Sequence, residues 1–76
     1  MEMKPRLTAV PRSVTEVGPG DYVKTASGWH QIASNTAFGM PRTPRSWSVR
    51  TSGGALHGMW DIYAYAKAED MEPKER

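Results

Sequence analysis

Apolar positions along this chain alternate in short runs and never settle into a helical stripe. From Tyr22 to Ala26, Val23 and Thr25 fall on one side and Tyr22, Lys24 and Ala26 on the other, the two-residue period of a half-buried strand. Trp29 to Ser34 reads as a second strand. Only Ser27-Gly28 separates the two, a connection that fits a tight hairpin of type I′. Arg45 to Thr51 alternates again, with Trp47, Val49 and Thr51 on one face and Ser46, Ser48 and Arg50 on the other, so one face is expected buried and one wet. Ser52-Gly53-Gly54 then turns the chain into a fourth strand, Ala55 to Trp60, and a fifth extended piece holds Ile62 to Ala66. Val14 and Val17 suggest a further, leading strand before the turn Gly18-Pro19-Gly20-Asp21.

Both ends look different from this middle. Residues 1–12 carry Pro5, Pro11 and scattered charge without periodicity and read as a mobile arm, while 68–76 reads as a polar tail with Pro73 in it. The folded unit is then 13–67, which keeps all six Trp and Tyr. Its expected inward set is Val17, Val23, Ile32, Trp47, Val49, Leu56, Met59 and Ile62, with Trp29 or Trp60 closing one end. So few apolar side chains leave one face of a flat sheet uncovered, whereas a curled sheet shares one core among all its strands. The expected fold is therefore all-β: a small five-stranded, partly open antiparallel barrel with a flexible amino-terminal arm.

Composition narrows the function classes. Val, Ile, Leu and Phe together make up ten of 76 residues, a core too thin for a large active-site cavity or a bound dinucleotide. There is no cysteine, hence no disulfide framework and no thiolate metal site, and a reducing, cytoplasmic setting is expected. No apolar run follows Lys4 and Arg6 as a signal peptide requires, and none is long enough to span a membrane.

Catalytic chemistry finds little support. His30 and His57 with Asp61 could in principle contact one another, but there is no Cys and no nucleophile-elbow Ser, and two His without a third ligand make a weak metal site. The reading is of a non-enzymatic protein with no cofactor and no metal.

The net charge of +2 hides an uneven distribution. Between Asp21 and Asp61 there are four cations, Lys24, Arg42, Arg45 and Arg50, and no carboxylate. Guanidinium groups at strand spacing approximate the separation of neighbouring phosphates. A nucleic-acid backbone is therefore expected to lie across Lys24, Arg42, Arg45 and Arg50, with His30 adding charge below neutral pH and Tyr22 or Trp29 stacking on bases. Phe38 and Met40 are apolar residues in the long loop through Pro44. They either plug the open barrel end or anchor a protein partner. The run Met59-Trp60-Asp61-Ile62-Tyr63-Ala64-Tyr65 holds too many large side chains for one face of one strand, so Tyr63 and Tyr65 are expected together on the face opposite Ile62 as a second protein-contact surface. The partner classes are thus nucleic acid or a host protein, with no membrane. A homodimer through an open strand edge is compatible with either.

Val17-Gly18-Pro19-Gly20-Asp21-Tyr22-Val23-Lys24 followed by Gly28-Trp29 resembles the opening of small Src-homology-three-like barrels, including KOW-type modules of transcription and ribosomal proteins. It is also similar to short barrel domains of actinobacteria and their phages. In that pattern Gly20 takes positive φ and the Asp21 side chain caps backbone amides of the turn. The resemblance implies a binding module for RNA, DNA or protein, including a phage-encoded modulator of a host protein.

Overall fold

The computed structural model of the chain describes residues 2–35 and 48–74, with Met59 described in its backbone alone. The architecture is all-β, with strands β1 (Met3–Pro5), β2 (Tyr22–Thr25), β3 (Gly28–Asn35), β4 (Ser48–Thr51), β5 (Leu56–Gly58), β6 (Ala64–Ala66) and β7 (Met71–Pro73). Three single 3₁₀ turns, Val14–Glu16, Met59–Asp61 and Ala68–Asp70, connect them. Five strands form an antiparallel sheet in the order β5-β4-β3-β2-β6, and β1 pairs with β7 in a separate two-stranded ribbon.

The β2–β3 hairpin lies where the alternation places it, but its tip differs. Thr25 pairs with Gly28, so the two loop residues are Ala26 and Ser27. A type I′ turn needs positive φ at both, and among the described non-glycine residues none has it. Gly28, the first residue of β3, instead takes φ 115°, a conformation that glycine adopts without steric cost, and the pairing runs on from it without a shift. Thr51 N–H donating to the Ala55 carbonyl at 2.9 Å closes the β4–β5 turn over Ser52-Gly53-Gly54, with Gly54 at φ 93°.

Val17, Val23, Ile32 and Val49 form the buried cluster, against which Ile62 and Tyr65 pack half-buried. Trp47 lies outside the described residues. Leu56, expected inward, is 59% exposed. The register explains it: Val49 pairs with His57 and Arg50 with Leu56, and directly opposed residues share a face, so the core side of β5 takes His57. Trp60, expected to close one end, is 78% exposed. The expected leading strand at Val14 is a turn. Ser13 N–H donates to Glu16 Oε1 at 2.7 Å, and this contact is the main cause that holds the exposed Glu16 carboxyl below its ordinary value. Val14 is buried all the same.

The two chain ends, expected as a mobile arm and a polar tail, pair with each other. Met3 lies opposite Pro73, Lys4 opposite Glu72 and Pro5 opposite Met71. Arg6 N–H donates to the Asp70 carbonyl at 2.7 Å, and Lys74 N–H to that of Glu2 at 2.8 Å. Both prolines sit at strand ends of a ribbon that is all edge, where a missing N–H costs no central ladder bond. Lys4 and Arg6 both approach Glu72, at 3.4 and 3.5 Å. Exposed pairs of this kind contribute roughly 1 kcal/mol at most. The larger contribution comes from the β7 residue Met71, which is buried.

Asp21 joins ribbon and sheet. The residue is 7% exposed, and its carboxylate accepts three hydrogen bonds: from Gly18 N–H at 2.9 Å, from Ala68 N–H at 2.8 Å and from Lys67 Nζ at 3.0 Å. Gly20 takes φ 95°, which completes the expected capped turn. Burial is the largest single influence on this carboxyl and pushes its pKa up. The donors from Ala68, Gly18 and Lys67 together outweigh it, so the net displacement is downward. A carboxyl lowered in the folded state stabilises the fold above its unfolded pKa of about 4, and that stabilisation is lost as pH falls through the folded value.

If the ribbon is part of the fold, Met71→Ala removes a buried side chain and lowers unfolding stability by about 2–4 kcal/mol in urea titration. A change below about 0.5 kcal/mol would mean that the terminal ribbon adds no stability.

Candidate functional site: an aromatic groove at the sheet end

Cross-strand pairing divides the sequence-derived candidates between two faces. Lys24 is exposed directly opposite Trp29, and Tyr22 lies opposite Gln31, all on the side of the sheet away from Val23. Arg50 is on that side too, opposite Ser34 and Leu56. Lys24 and Arg50 nevertheless stand apart: their β3 partners, Trp29 and Ser34, are five positions apart, roughly 16 Å along a strand. His30 does not join them. It pairs with Val23 and so faces the core side, where its Nε2 lies 2.7 Å from Ser27 Oγ and its ring stacks on His57 at 6.4 Å and 18°. Arg42, Arg45, Phe38 and Met40 lie outside the described residues.

Tyr63 and Tyr65 divide their roles. Tyr65 lies opposite Val23 and packs on the core, and burial raises its hydroxyl to about 12. Tyr63 is 68% exposed. It belongs to two grooves. One, of about 310 Å³, runs between Pro5, Pro11 and Arg12 of the amino-terminal segment and the rings of Trp29, Tyr63 and Tyr65. The other, of about 430 Å³, lies at the hairpin tip and is bordered by Ser27, Leu56, His57, Trp60, Asp61 and Tyr63.

Leu56, Trp60 and Tyr63 are exposed large apolar side chains, and all three border the second groove. Two local features place them there. The chain leaves β5 at Gly58 and enters the 3₁₀ turn Met59–Asp61, which swings Trp60 and Asp61 out of the strand line. On the far side, Tyr63 N–H donates to the Lys24 carbonyl at 2.8 Å, which fixes the entry to β6.

Gly58 shapes the site as well. A β-carbon there would stand 3.0, 3.1 and 3.3 Å from three adjacent carbons of the Trp60 six-membered ring. Near-equal distances to adjacent ring atoms put that point over the ring face and not at its edge. One face of the indole therefore rests on Gly58, and the ring's high exposure leaves the other open to solvent. From the sequence, Leu56 is expected in the core, and Trp60 is one of two residues, with Trp29, expected to close its end. The surplus of large side chains over 59–65 is the available signal that some of them face outward.

Among the described residues no group of three His, Cys, Asp or Glu is placed to hold a metal ion, and no helix is long and apolar enough to cross a membrane. No protein-family model, curated protein or solved structure matches the chain.

If Gly58 seats the indole, Gly58→Ala displaces the Trp60 ring while the fold persists. In NMR spectra the Trp60 indole N–H cross-peak then moves and its contacts to residue 58 vanish, with thermal stability changed by no more than about 1 kcal/mol. An unmoved indole signal would show that Gly58 does not position the ring.

Proposed function

We propose that this chain is a non-enzymatic protein-interaction module that docks its partner on Leu56, Trp60 and Tyr63. The observation that carries this reading is the convergence of three large exposed apolar side chains on one groove. Trp and Tyr are the residue types that dominate interface energetics. An indole already resting on backbone loses little freedom on binding, which favours affinity.

The partly open barrel belongs to the same proposal. Between Gly58 and Ala64 the chain passes from one edge strand of the five-stranded sheet to the opposite edge. In a flat sheet those edges stand roughly 19 Å apart. The connection, half of it in a 3₁₀ turn, spans about 16 Å. The shortfall supports a sheet curled so that its edges approach, in keeping with the Src-homology-three-like resemblance of residues 17–29. A cytoplasmic setting accords with the absence of cysteine.

Nucleic-acid binding is the second reading. It is favoured by the placement of Lys24 directly across from Trp29, with Tyr22 on the same face, which sets a cation beside a stacking surface.

Affinity capture from nuclease-treated host extract tests both readings. Docking on the aromatic groove requires that a protein be retained by the native chain and lost from a Trp60→Ala/Tyr63→Ala variant of unchanged thermal midpoint. Capture that survives in the double variant, or that disappears with nuclease treatment of the native sample, would overturn it. The second of these outcomes would instead favour the Lys24–Trp29 face.

A further inference from the structure

We infer that the groove between Trp60 and Tyr63 receives an arginine side chain of the docked protein, with Asp61 as its counter-charge. This rests on the protein-docking reading and specifies its chemistry. Asp61 stands between the two aromatic residues in sequence and borders the same groove. Asp21, Asp70 and Glu72 each pair with a cation of this chain. Asp61, by contrast, makes no ion pair or hydrogen bond among the described residues, and it is exposed.

A carboxylate set among apolar rings is poor design for a surface that buries only aliphatic groups, because docking would strip its water without replacement. An incoming cation supplies that replacement. The open face of the Trp60 indole and the Tyr63 ring carry the negative face of their quadrupoles, which attracts the same charge. Arginine fits better than lysine here. Its guanidinium is planar, weakly hydrated and able to stack on a ring while its N–H groups reach a carboxylate, whereas an ammonium is a compact, strongly hydrated charge. The groove, about 430 Å³, has room for one such side chain. The imidazole bordering the groove, His57, is stacked on His30.

The test uses the full chain and two blocked tripeptides, Ac-Gly-Arg-Gly-NH₂ and Ac-Gly-norleucine-Gly-NH₂, monitored by ¹H–¹⁵N NMR. The Trp60 indole signal is assigned by its loss in Trp60→Ala. The arginine peptide is expected to shift that signal and the Asp61 and Tyr63 amides, saturating in the range of tens of millimolar as befits one exposed contact. The norleucine peptide is expected to have at least threefold weaker effect, and Asp61→Asn to weaken arginine binding at least threefold. Equal responses to the two peptides, an unchanged response in Asp61→Asn, or no movement at Trp60 would each overturn the inference. Partner capture separates this failure from that of the docking reading. Capture lost in Trp60→Ala but intact in Asp61→Asn refutes arginine recognition alone, and capture intact in both refutes the docking surface.

Discussion

The buried carboxylate of Asp21 is the contact on which most of the architecture converges. It stands one residue before β2 and takes hydrogen bonds from Gly18 within its own turn and from Lys67 and Ala68 just beyond β6. An ion withdrawn from water in this way is tolerable only when its lone pairs are filled, and here one backbone amide reaches Oδ1 while a second amide and an ammonium reach Oδ2. The bonds are local at one end and long-range at the other, so the same group shapes a turn and sets the position of a strand whose flanking Lys67 is 46 residues away.

The placement of the molecule's aromatic end depends on that contact. Strand β6 is only three residues long and, among the described residues, pairs with β2 at the edge of the sheet, too short to hold itself in register. The Asp21 contacts fix it at one end and the Tyr63 to Lys24 hydrogen bond at the other. Ala68 opens the 3₁₀ turn that leads into β7, so the terminal ribbon, with buried Met71, is attached through the same point. With β6 fixed, Tyr65 is committed to the core and Tyr63 to solvent, and the short connection from Gly58 carries Trp60 and Asp61 into the space between.

Legibility in the sequence tracks the strength of the local signal. Val23 and Val49 sit in strict alternation beside glycine-marked turns, and their inward facing is readable from the chain alone, while Ile32 is the one large aliphatic residue of its strand. The capped turn at Gly20 and Asp21 is readable from residue chemistry, but its partners are not, because nothing local points from Asp21 to Lys67 and Ala68. Leu56 is misplaced by sequence reasoning because Ala55-Leu56-His57-Gly58 has no clear alternation, and a shift of one residue reverses every facing. The Ser13 and Glu16 spacing, Ser-x-x-Glu, does announce a turn, yet two valines outweigh it. The ribbon is hidden because its strands are three residues each, proline-bearing and at opposite ends of the chain, so that pairing rather than propensity creates them. Of the candidate site, the aromatic surplus over 59–65 is visible, whereas the exposure of Trp60 depends on the register of β5 and the bare face of Gly58.

The most direct test is a carbon-13 NMR titration of the Asp21 carboxyl in the folded chain, with the Gly18 and Ala68 amides monitored in the same samples. A clasp of the kind described requires a midpoint below the ordinary 3.8, with both amides protected from exchange and losing that protection as the carboxyl takes up its proton. A midpoint at or above that value, with the two amides indifferent to it, would contradict the role assigned to Asp21.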